Sequence, residues 1–165
     1  AVSVRIRPGG VLQVDVTPRT GAAIWRTAGG LYLVDKSGVE FAEVSGRAAR
    51  PDLPVIAGEG APDHMDEALA LVQAAAPLGD RLRGLVRLGN RRWDVVLDRD
   101  QRILLPTEGA VRALERVIAL EGAQEVLSRD VSRIDLRLAD RPTVRMTQTA
   151  TQEWWRIRAL NLTNE

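Results

Sequence analysis

The chain has 165 residues, enough for one domain with a small appendage at one end. Hydrophobic residues make up 45% and charged residues 27%, which is typical of a soluble globular protein and excludes the disordered and collagen-like classes. The formal net charge of +1 provides no overall field for holding a polyanion, so nucleic acid is disfavoured as the main partner.

Residue counts exclude several kinds of site. The absence of cysteine excludes disulfides, thiolate metal sites and cysteine nucleophiles. His64 is the only histidine, which excludes paired-histidine zinc motifs and two-histidine mechanisms. The longest apolar stretch without charge, residues 68–79, is too short to cross a bilayer. Because the chain starts at Ala1, inside a strand-like pattern, we expect it to be a fragment of a longer protein.

The first third of the chain is predicted to be β-structure. Two segments with alternating apolar residues, 2–6 and 12–16, flank Pro8-Gly9-Gly10, which predicts a β-hairpin. The sequence from Pro18 to Gly21 interrupts this pattern and indicates a module boundary. Further short strands are predicted at residues 23–25, 31–34, 39–41 and 53–56.

Two amphipathic helices are predicted further along the chain. The first follows Pro62, with Asp63 as its N-cap, and ends before Pro77. The second has Thr107 as its N-cap and is expected to stop at Gly122.

Alternation also predicts strands around and after these helices. In residues 82–88 the even positions are apolar or glycine, whereas Arg81, Arg83 and Arg87 fall on odd positions, so we expect a half-buried strand with a solvated arginine face. Further strands are predicted at residues 93–97, 103–105, 134–138 and 143–147. Helices inserted between groups of hairpin strands predict an α+β fold with a mostly antiparallel β-sheet, two main α-helices and a leading hairpin.

Five segments together resemble the FtsQ/DivIB family of bacterial cell-division proteins, in order and in spacing. They are the hairpin 2–16 followed by Ala23-Ile24-Trp25, the sequence LVDKSGVEF at 33–41, LPVIAG at 53–58, RRWDVVL at 91–97 and IDLR at 134–137. The resemblance implies that residues 1–22 are the C-terminal hairpin of a truncated POTRA domain and that residues 23–147 are the β-domain. Residues 148–165 would be a C-terminal tail with room for a short helix.

The resemblance also implies a function and its partners. Family members are non-enzymatic scaffolds of the division complex, held in the inner membrane by a single helix that this chain lacks, with this region in the periplasm at the septum. They bind FtsB and FtsL through the β-domain, and other division proteins through the POTRA domain. FtsB adds a strand to the final β-strand, and an arginine just before the tryptophan strand contacts an acidic residue of FtsB.

The residue pattern itself supports such a partner site. Strand 143–147 comes last among the strands and precedes a polar tail, so we expect it at a sheet edge, where unpaired backbone groups can receive an extended peptide. The alternative is a protected edge that Arg145 guards and the tail covers. The candidate partner-binding residues are Arg91, Arg92, Leu138, Ala139, Asp140, Thr143, Val144, Arg145 and Met146.

The charged contact is assigned to Arg91 or Arg92, depending on how the segment aligns before Trp93, and the alternative for both is a solvated turn. Asp135 and Arg137 point to the same side of one strand and could pair with each other or with neighbouring strands. We treat them, with Trp93, as structural signature residues, since an exposed ion pair contributes little stability.

No catalytic site, metal site or cofactor is predicted. A single histidine, His64, at a helix start does not provide the paired catalytic groups that an enzyme would need. The segment with Asp94, Asp98 and Asp100 lacks the glycine and glutamate of a calcium loop. Of the tail tryptophans Trp154 and Trp155, one is expected to be partly exposed, and the tail is expected to dock on the β-domain, with a partner or the membrane surface as alternatives. The rival functions are an enzyme and a POTRA-linked binding module for another envelope assembly or secretion client.

Overall fold

The computed structural model describes residues 2–138 and 141–163, with side chains described up to Ala159 in the final helix. The described residues form eleven strands: β1 (Val2–Arg7), β2 (Val11–Val16), β3 (Ala23–Arg26), β4 (Leu31–Val34), β5 (Glu40–Val44), β6 (Val55–Ala57), β7 (Leu82–Leu88), β8 (Arg92–Leu97), β9 (Arg102–Leu104), β10 (Val131–Asp135) and β11 (Thr143–Met146). They also form three α-helices: α1 (Met65–Ala74), α2 (Ala110–Gln124) and α3 (Gln148–Thr163).

The predicted N-terminal hairpin is confirmed. Strands β1 and β2 pair antiparallel, with Val2 opposite Val16 and Arg7 opposite Val11. Residues opposite each other share a face, so one face is wholly aliphatic and the other carries mostly polar side chains. The aliphatic side chains are 50–79% exposed, and they belong to Val2, Val4, Ile6, Leu12, Val14 and Val16. The described part of the chain therefore leaves this apolar face uncovered.

Strands β3 to β11 form one nine-stranded sheet in the order β11-β10-β9-β8-β7-β6-β3-β4-β5. Neighbours pair antiparallel except at three junctions, β3 with β6, β6 with β7, and β9 with β10, which are parallel. Two of these parallel junctions are reached through a long crossover that contains a helix, since α1 lies between β6 and β7 and α2 between β9 and β10. The predicted α+β class with a mostly antiparallel sheet is confirmed.

Helices α1 and α2 cover one face of the sheet and form the main core with it. The alternate residues Trp93, Val95 and Leu97 of β8 point to this helix face, where they join Leu71 of α1 and Leu114 of α2. The opposite face, which we call the open face, carries Arg92, Asp94 and Val96 of β8. At the β3–β4 end the open face is covered by a second small cluster, in which Leu53 packs on Ile24 and Leu33.

A buried arginine ties the first helix to the sheet. Arg87 of β7 is only 4% exposed, lies opposite Trp93 and points to the helix face. Its Nη1 donates to Glu67 Oε2 of α1 at 2.6 Å, and Trp93 Nε1 donates to the same oxygen at 2.9 Å. The guanidinium carbon lies 5.1 Å from the centroid of the Trp93 ring, within cation–π range.

The prediction of a solvated arginine face on this strand was wrong for Arg81 and Arg87, and it holds for Arg83, which is exposed. Arg87 is buried, and Arg81 is held by four acceptors. Its Nη1 donates to Glu121 Oε1 and its Nη2 to Gln101 Oε1 and to the carbonyl of Leu127, all at 2.9 Å, while Nε donates to Asp98 at 3.3 Å. Arg81 has a hydrogen-bond acceptor for each of its nitrogens because side chains from distant parts of the chain reach it. Arg87 pairs with Glu67 through Nη1, but its buried Nε has no hydrogen-bond partner.

The predicted helix bounds need correction. Helix α1 begins at Met65 with His64 as its N-cap, preceded by a 3-10 turn over Pro62–His64, and Asp63 makes no capping bond. Helix α2 begins at Ala110 because Gly109 takes the left-handed conformation there, so Thr107 is not its N-cap. Gly122 lies inside α2, which ends at Gln124, with Glu125 in the left-handed conformation.

The LVDKSGVEF segment owes its turn to Asp35. The Asp35 carboxylate accepts hydrogen bonds from the Ser37 hydroxyl and amide and from the Val39 amide, and it also pairs with Arg19. These hydrogen bonds, that of the Ser37 hydroxyl foremost, lower the pKa of Asp35 to about 2. One ionised carboxylate thus fixes the turn between β4 and β5 and anchors the segment that enters β3.

Substitution of Glu67 tests the tie between α1 and the sheet. We expect Glu67→Ala to lower the free energy of unfolding by about 2 kcal/mol, because it leaves a buried guanidinium and an indole N–H without their acceptor. Urea unfolding measures this change. The matched control is Asp66→Ala, an exposed acidic residue in the same helical turn that does not contact Arg87 or Trp93, and this change should cost less than about 1 kcal/mol. Equal losses for both variants would contradict the proposed tie.

Removal of the N-terminal hairpin tests its independence from the main sheet. A chain that begins at Thr17 should keep the melting temperature and the main unfolding transition of the full chain, because β1 and β2 leave their side chains exposed. Differential scanning calorimetry measures both quantities. A clear drop in the melting temperature would show that the hairpin supports the nine-stranded sheet.

Candidate functional site

The sheet ends at β11, which lies at its edge and pairs only with β10. Thr143 lies opposite Asp135, Val144 opposite Ile134, and Arg145 opposite Arg133. All four residues of β11 are exposed. The backbone groups on the outer side of β11 are thus available to another strand.

A bulge in β10 shapes this edge. The register shifts between Val131 and Arg133, and the hydroxyl of the extra residue, Ser132, donates to the carbonyls of Arg145 and Met146 at 3.2 and 3.1 Å. These bonds stabilise the end of β11 from its inner side.

The edge strand presents an apolar strip on the helix face. Val144 and Met146 are 54% and 41% exposed, although the residues opposite them, Ile134 and Val131, are buried in the core. The hydrophobic core therefore reaches the last strand and stops there half-covered. Apolar side chains on an added strand would complete it.

A cavity of about 420 Å³ opens beside this edge. It is lined by Arg91, Arg92, Leu105, Pro106, Thr107, Asp135, Arg137, Leu138, Arg141 and Thr143. Four guanidinium groups against one carboxylate give it a strong excess of positive charge. Such a cavity suits a carboxylate, which can accept two parallel N–H bonds from one guanidinium.

The one carboxylate of the cavity is already occupied. Arg137 Nη2 donates to Asp135 Oδ2 at 2.6 Å and its Nε donates to Oδ1 at 2.9 Å, while the Arg137 amide also donates to Oδ1 at 3.0 Å. These bonds from Arg137 lower the pKa of Asp135 and the pairing raises the pKa of Arg137. The pair holds the chain where it leaves β10, and it leaves the other three arginines of the cavity without an ion-pair partner among the described residues.

Arg91 and Arg92 differ in their surroundings. Arg91 is exposed in the turn after β7, where its amide donates to the Leu88 carbonyl. Arg92 is the first residue of β8 and is half-buried, and its Nε is shielded from solvent without a hydrogen-bond partner. Among the described residues, no carboxylate lies within ion-pairing distance of either side chain.

A family model described as "Cell division protein FtsQ/DivIB, C-terminal" matches residues 23–137. The chain belongs to the FtsQ/DivIB family. A relative named "Cell division protein FtsQ" from Roseobacter litoralis is 60% identical over 98% of the chain and 55% of its own length. Relatives of the same name from Paracoccus denitrificans and Cereibacter sphaeroides are 56% and 50% identical, over 88% and 96% of the chain and 43% and 51% of their own lengths. The chain thus spans about half the length of these FtsQ relatives.

The structure brings most of the predicted partner-binding residues of this FtsQ/DivIB chain together. Arg91, Arg92, Leu138 and Thr143 line one cavity, and the strand that starts at Thr143 continues from it along the edge. Ala139 and Asp140 lie outside the described residues. Trp93 lies on the opposite face of the sheet, buried against Arg87.

Other cavity residues were not predicted. Leu105, Pro106 and Thr107 line the cavity from the segment after β9, because the parallel pairing of β9 with β10 places that segment beside Asp135. Arg141 lies in the loop before β11, where its charge is the one sequence signal that could have identified it.

Asp94 is a buried carboxylate behind the cavity. It lies on the open face of β8 between Val86 and Leu104, is 2% exposed, and has no hydrogen-bond partner at Oδ1. Burial raises the pKa of Asp94, against the opposing effect of four arginines, of which Arg92 has the largest. It therefore balances part of the positive charge of Arg92 from within the sheet.

The expected docking of the tail was wrong for its described residues. Trp154 and Trp155 of α3 are 44% and 58% exposed, and Ile157 beside them is exposed too. The two indole rings meet edge to face at 4.8 Å, and Arg158 lies over both. The cluster is held together by its own residues, and no other part of the described chain buries it.

The described residues contain no group of three or more histidine or acidic side chains placed to hold a metal ion. None of their helices has both the length and the apolar character that a membrane span needs.

The buried carboxylate gives a pH-dependent prediction. Because the folded-state pKa of Asp94 is raised, the folded chain binds its proton more tightly than the unfolded chain, and stability falls as the pH rises through this range. Asp94→Asn should therefore raise the melting temperature at pH 7, and the difference should shrink below the ordinary carboxyl pKa of about 4. Thermal unfolding as a function of pH measures both effects. If Asp94→Asn were less stable than the wild type at pH 7, the attraction of the arginines for the Asp94 carboxylate would outweigh the cost of burying it.

Proposed function

We propose that this chain is the partner-binding part of a cell-division scaffold that binds FtsB and FtsL by β-strand addition at β11. The observation that carries the proposal is the exposed, singly paired edge strand beside a cavity in which three arginines have no ion-pair partner among the described residues. Membership of the FtsQ/DivIB family supports a role in division. By linking early and late division proteins, the scaffold would serve septal cell-wall synthesis.

Strand addition suits the geometry of this edge. An added strand gains backbone hydrogen bonds along Thr143–Met146, and its side chains alternate between the two faces of the sheet. Those on the helix face would cover Val144 and Met146 and extend the core, so the partner strand needs apolar residues at alternate positions. Leu138, which is exposed at the mouth of the cavity, provides a further apolar contact.

The cavity arginines give the interaction its charge selectivity. We assign the main contact with an acidic residue of FtsB to Arg92, because its half-buried guanidinium has a shielded and unpartnered Nε. A partner carboxylate would satisfy this donor in a site with reduced solvent, where a charged hydrogen bond is strong. Arg91, exposed in the adjacent turn, would assist by steering the partner.

The proposal extends to the whole protein. The exposed apolar face of the β1–β2 hairpin supports its assignment, as residues 1–22, to the end of a POTRA domain, with residues 23–147 as the β-domain. Other division proteins would bind through that POTRA domain. The longer protein would be anchored in the inner membrane by one helix, with this region in the periplasm at the septum and without catalytic activity. A POTRA-linked module for another envelope client is the second candidate, because the same edge could receive a different strand.

Substitution on the apolar strip tests strand addition. Met146→Asp should weaken binding of a peptide from the C-terminal part of FtsB at least about tenfold, because it places a charge where the partner extends the core. Isothermal titration calorimetry measures the affinity. The matched control, Leu120→Asp, alters a similarly exposed residue of α2 and should bind normally. Unchanged affinity of a folded Met146→Asp protein would contradict the proposed site. If the peptide fails to bind the wild type, the POTRA-linked module for another envelope client is favoured.

Neutralisation of single arginines tests the charged contact. Arg92→Gln should weaken binding of the same peptide about tenfold, and Arg91→Gln should weaken it less, since only Arg92 holds a shielded donor. Arg83→Gln, on an exposed position of β7, removes the same charge elsewhere and serves as the control. The circular dichroism spectrum and melting temperature establish that each variant is folded. A larger loss of affinity for Arg91→Gln than for Arg92→Gln would show that Arg91, in the turn, makes the main charged contact.

A further inference from the structure

Three arginines form a row across the end of the open face. Arg145 of β11 lies opposite Arg133 of β10, which in turn lies opposite Arg102 of β9. Residues in register on neighbouring strands share a face, so the three side chains stand side by side over roughly 10 Å. All three are exposed. We call this group the arginine row.

The row is electrostatically unfavourable within the isolated chain. Like charges directly opposite each other on neighbouring strands repel. Among the described residues, no carboxylate lies within ion-pairing distance of Arg102, Arg133 or Arg145. The nearby Asp135 is already engaged by Arg137. Asp94 attracts Arg102 and Arg133, but it is buried and shares its charge with Arg92 and Arg137.

The row continues the edge described above. On β10 Asp135 lies two residues after Arg133, and on β11 Thr143 lies two residues before Arg145, and both Asp135 and Thr143 line the arginine cavity. The row and the cavity therefore adjoin on one face of the same three strands. A partner that adds a strand at β11 has this face directly beside it.

We infer that the arginine row is a second contact surface for the partner that binds at β11, and that it receives a segment carrying at least two carboxylates. The inference rests on the proposed strand addition. Planar guanidinium groups match carboxylates in geometry, and a segment crossing the row would relieve the repulsion among them. The half-buried Val96 and the buried Leu104 lie beside the row, which favours a peptide with apolar as well as acidic side chains. The balanced net charge of the chain disfavours a long polyanion.

Substitution of Arg102 and Arg133 tests this contact separately from strand addition. Both lie on strands behind β11, so a strand paired with β11 alone does not reach them. The test compares the double variant Arg102→Gln/Arg133→Gln with wild type for binding of the whole periplasmic segment of FtsB, at low and high salt. The control Arg112→Gln/Arg116→Gln removes two exposed charges from α2. The variant Arg102→Lys/Arg133→Lys keeps the charge and shows whether any loss comes from altered packing.

The expected result is an affinity about tenfold lower for the double Gln variant at low salt, a smaller difference at high salt, normal binding by the control and substantial recovery by the Lys variant. Equal affinity of wild type and the folded double Gln variant would overturn the inference while leaving strand addition intact. Failure of wild type to bind FtsB at all would instead refute the proposed function. If the double Gln variant bound phosphatidylglycerol vesicles more weakly than wild type but bound FtsB with unchanged affinity, the inference would be overturned in favour of a lipid surface.

Discussion

The arrangement of this chain depends on where its sheet has to end. Every inner strand of the nine-stranded sheet pairs with a neighbour on each side, whereas β5 and β11 have a neighbour on one side only. The β11 edge is short, carries an apolar strip that continues the core, and adjoins four arginines. Unpaired backbone, uncovered apolar surface and excess charge coincide in one place, and this coincidence supports the proposed binding of an extended partner.

The rest of the fold keeps this end of the sheet in place. The parallel junctions, two of them bridged by helical crossovers, position α1 and α2 on one face, where the Glu67–Arg87–Trp93 contacts fix α1 against β7 and β8. The four hydrogen bonds of Arg81 join the start of β7 to α2, to the turn after β8 and to the segment before β10. These contacts leave the open face near β11 uncovered, so charged side chains can collect there without disturbing the core.

The sequence predicted the strands and helices better than the contacts between residues that are distant in the chain. Period-2 alternation located the hairpin and β11, because alternation depends only on neighbouring residues. It placed the strand before β11 at 134–138, three residues later than β10, which spans Val131–Asp135. It misplaced Arg87, because a charged residue in an alternating strand is expected in solvent, and its acceptor Glu67 lies twenty residues away. The start of α2 was missed because the left-handed Gly109 displaced the predicted cap Thr107. The arginine row could not be predicted at all, since Arg102, Arg133 and Arg145 meet only through strand register.

Amide hydrogen exchange is the most direct test of partner capture by backbone pairing. Exchange of the backbone amides should be followed with and without the C-terminal segment of FtsB. Strand addition predicts slower exchange in Thr143–Met146 on binding, with the opposite edge strand β5 unchanged. Protection confined to β5 or to the hairpin, with β11 amides exchanging as in the free chain, would contradict it.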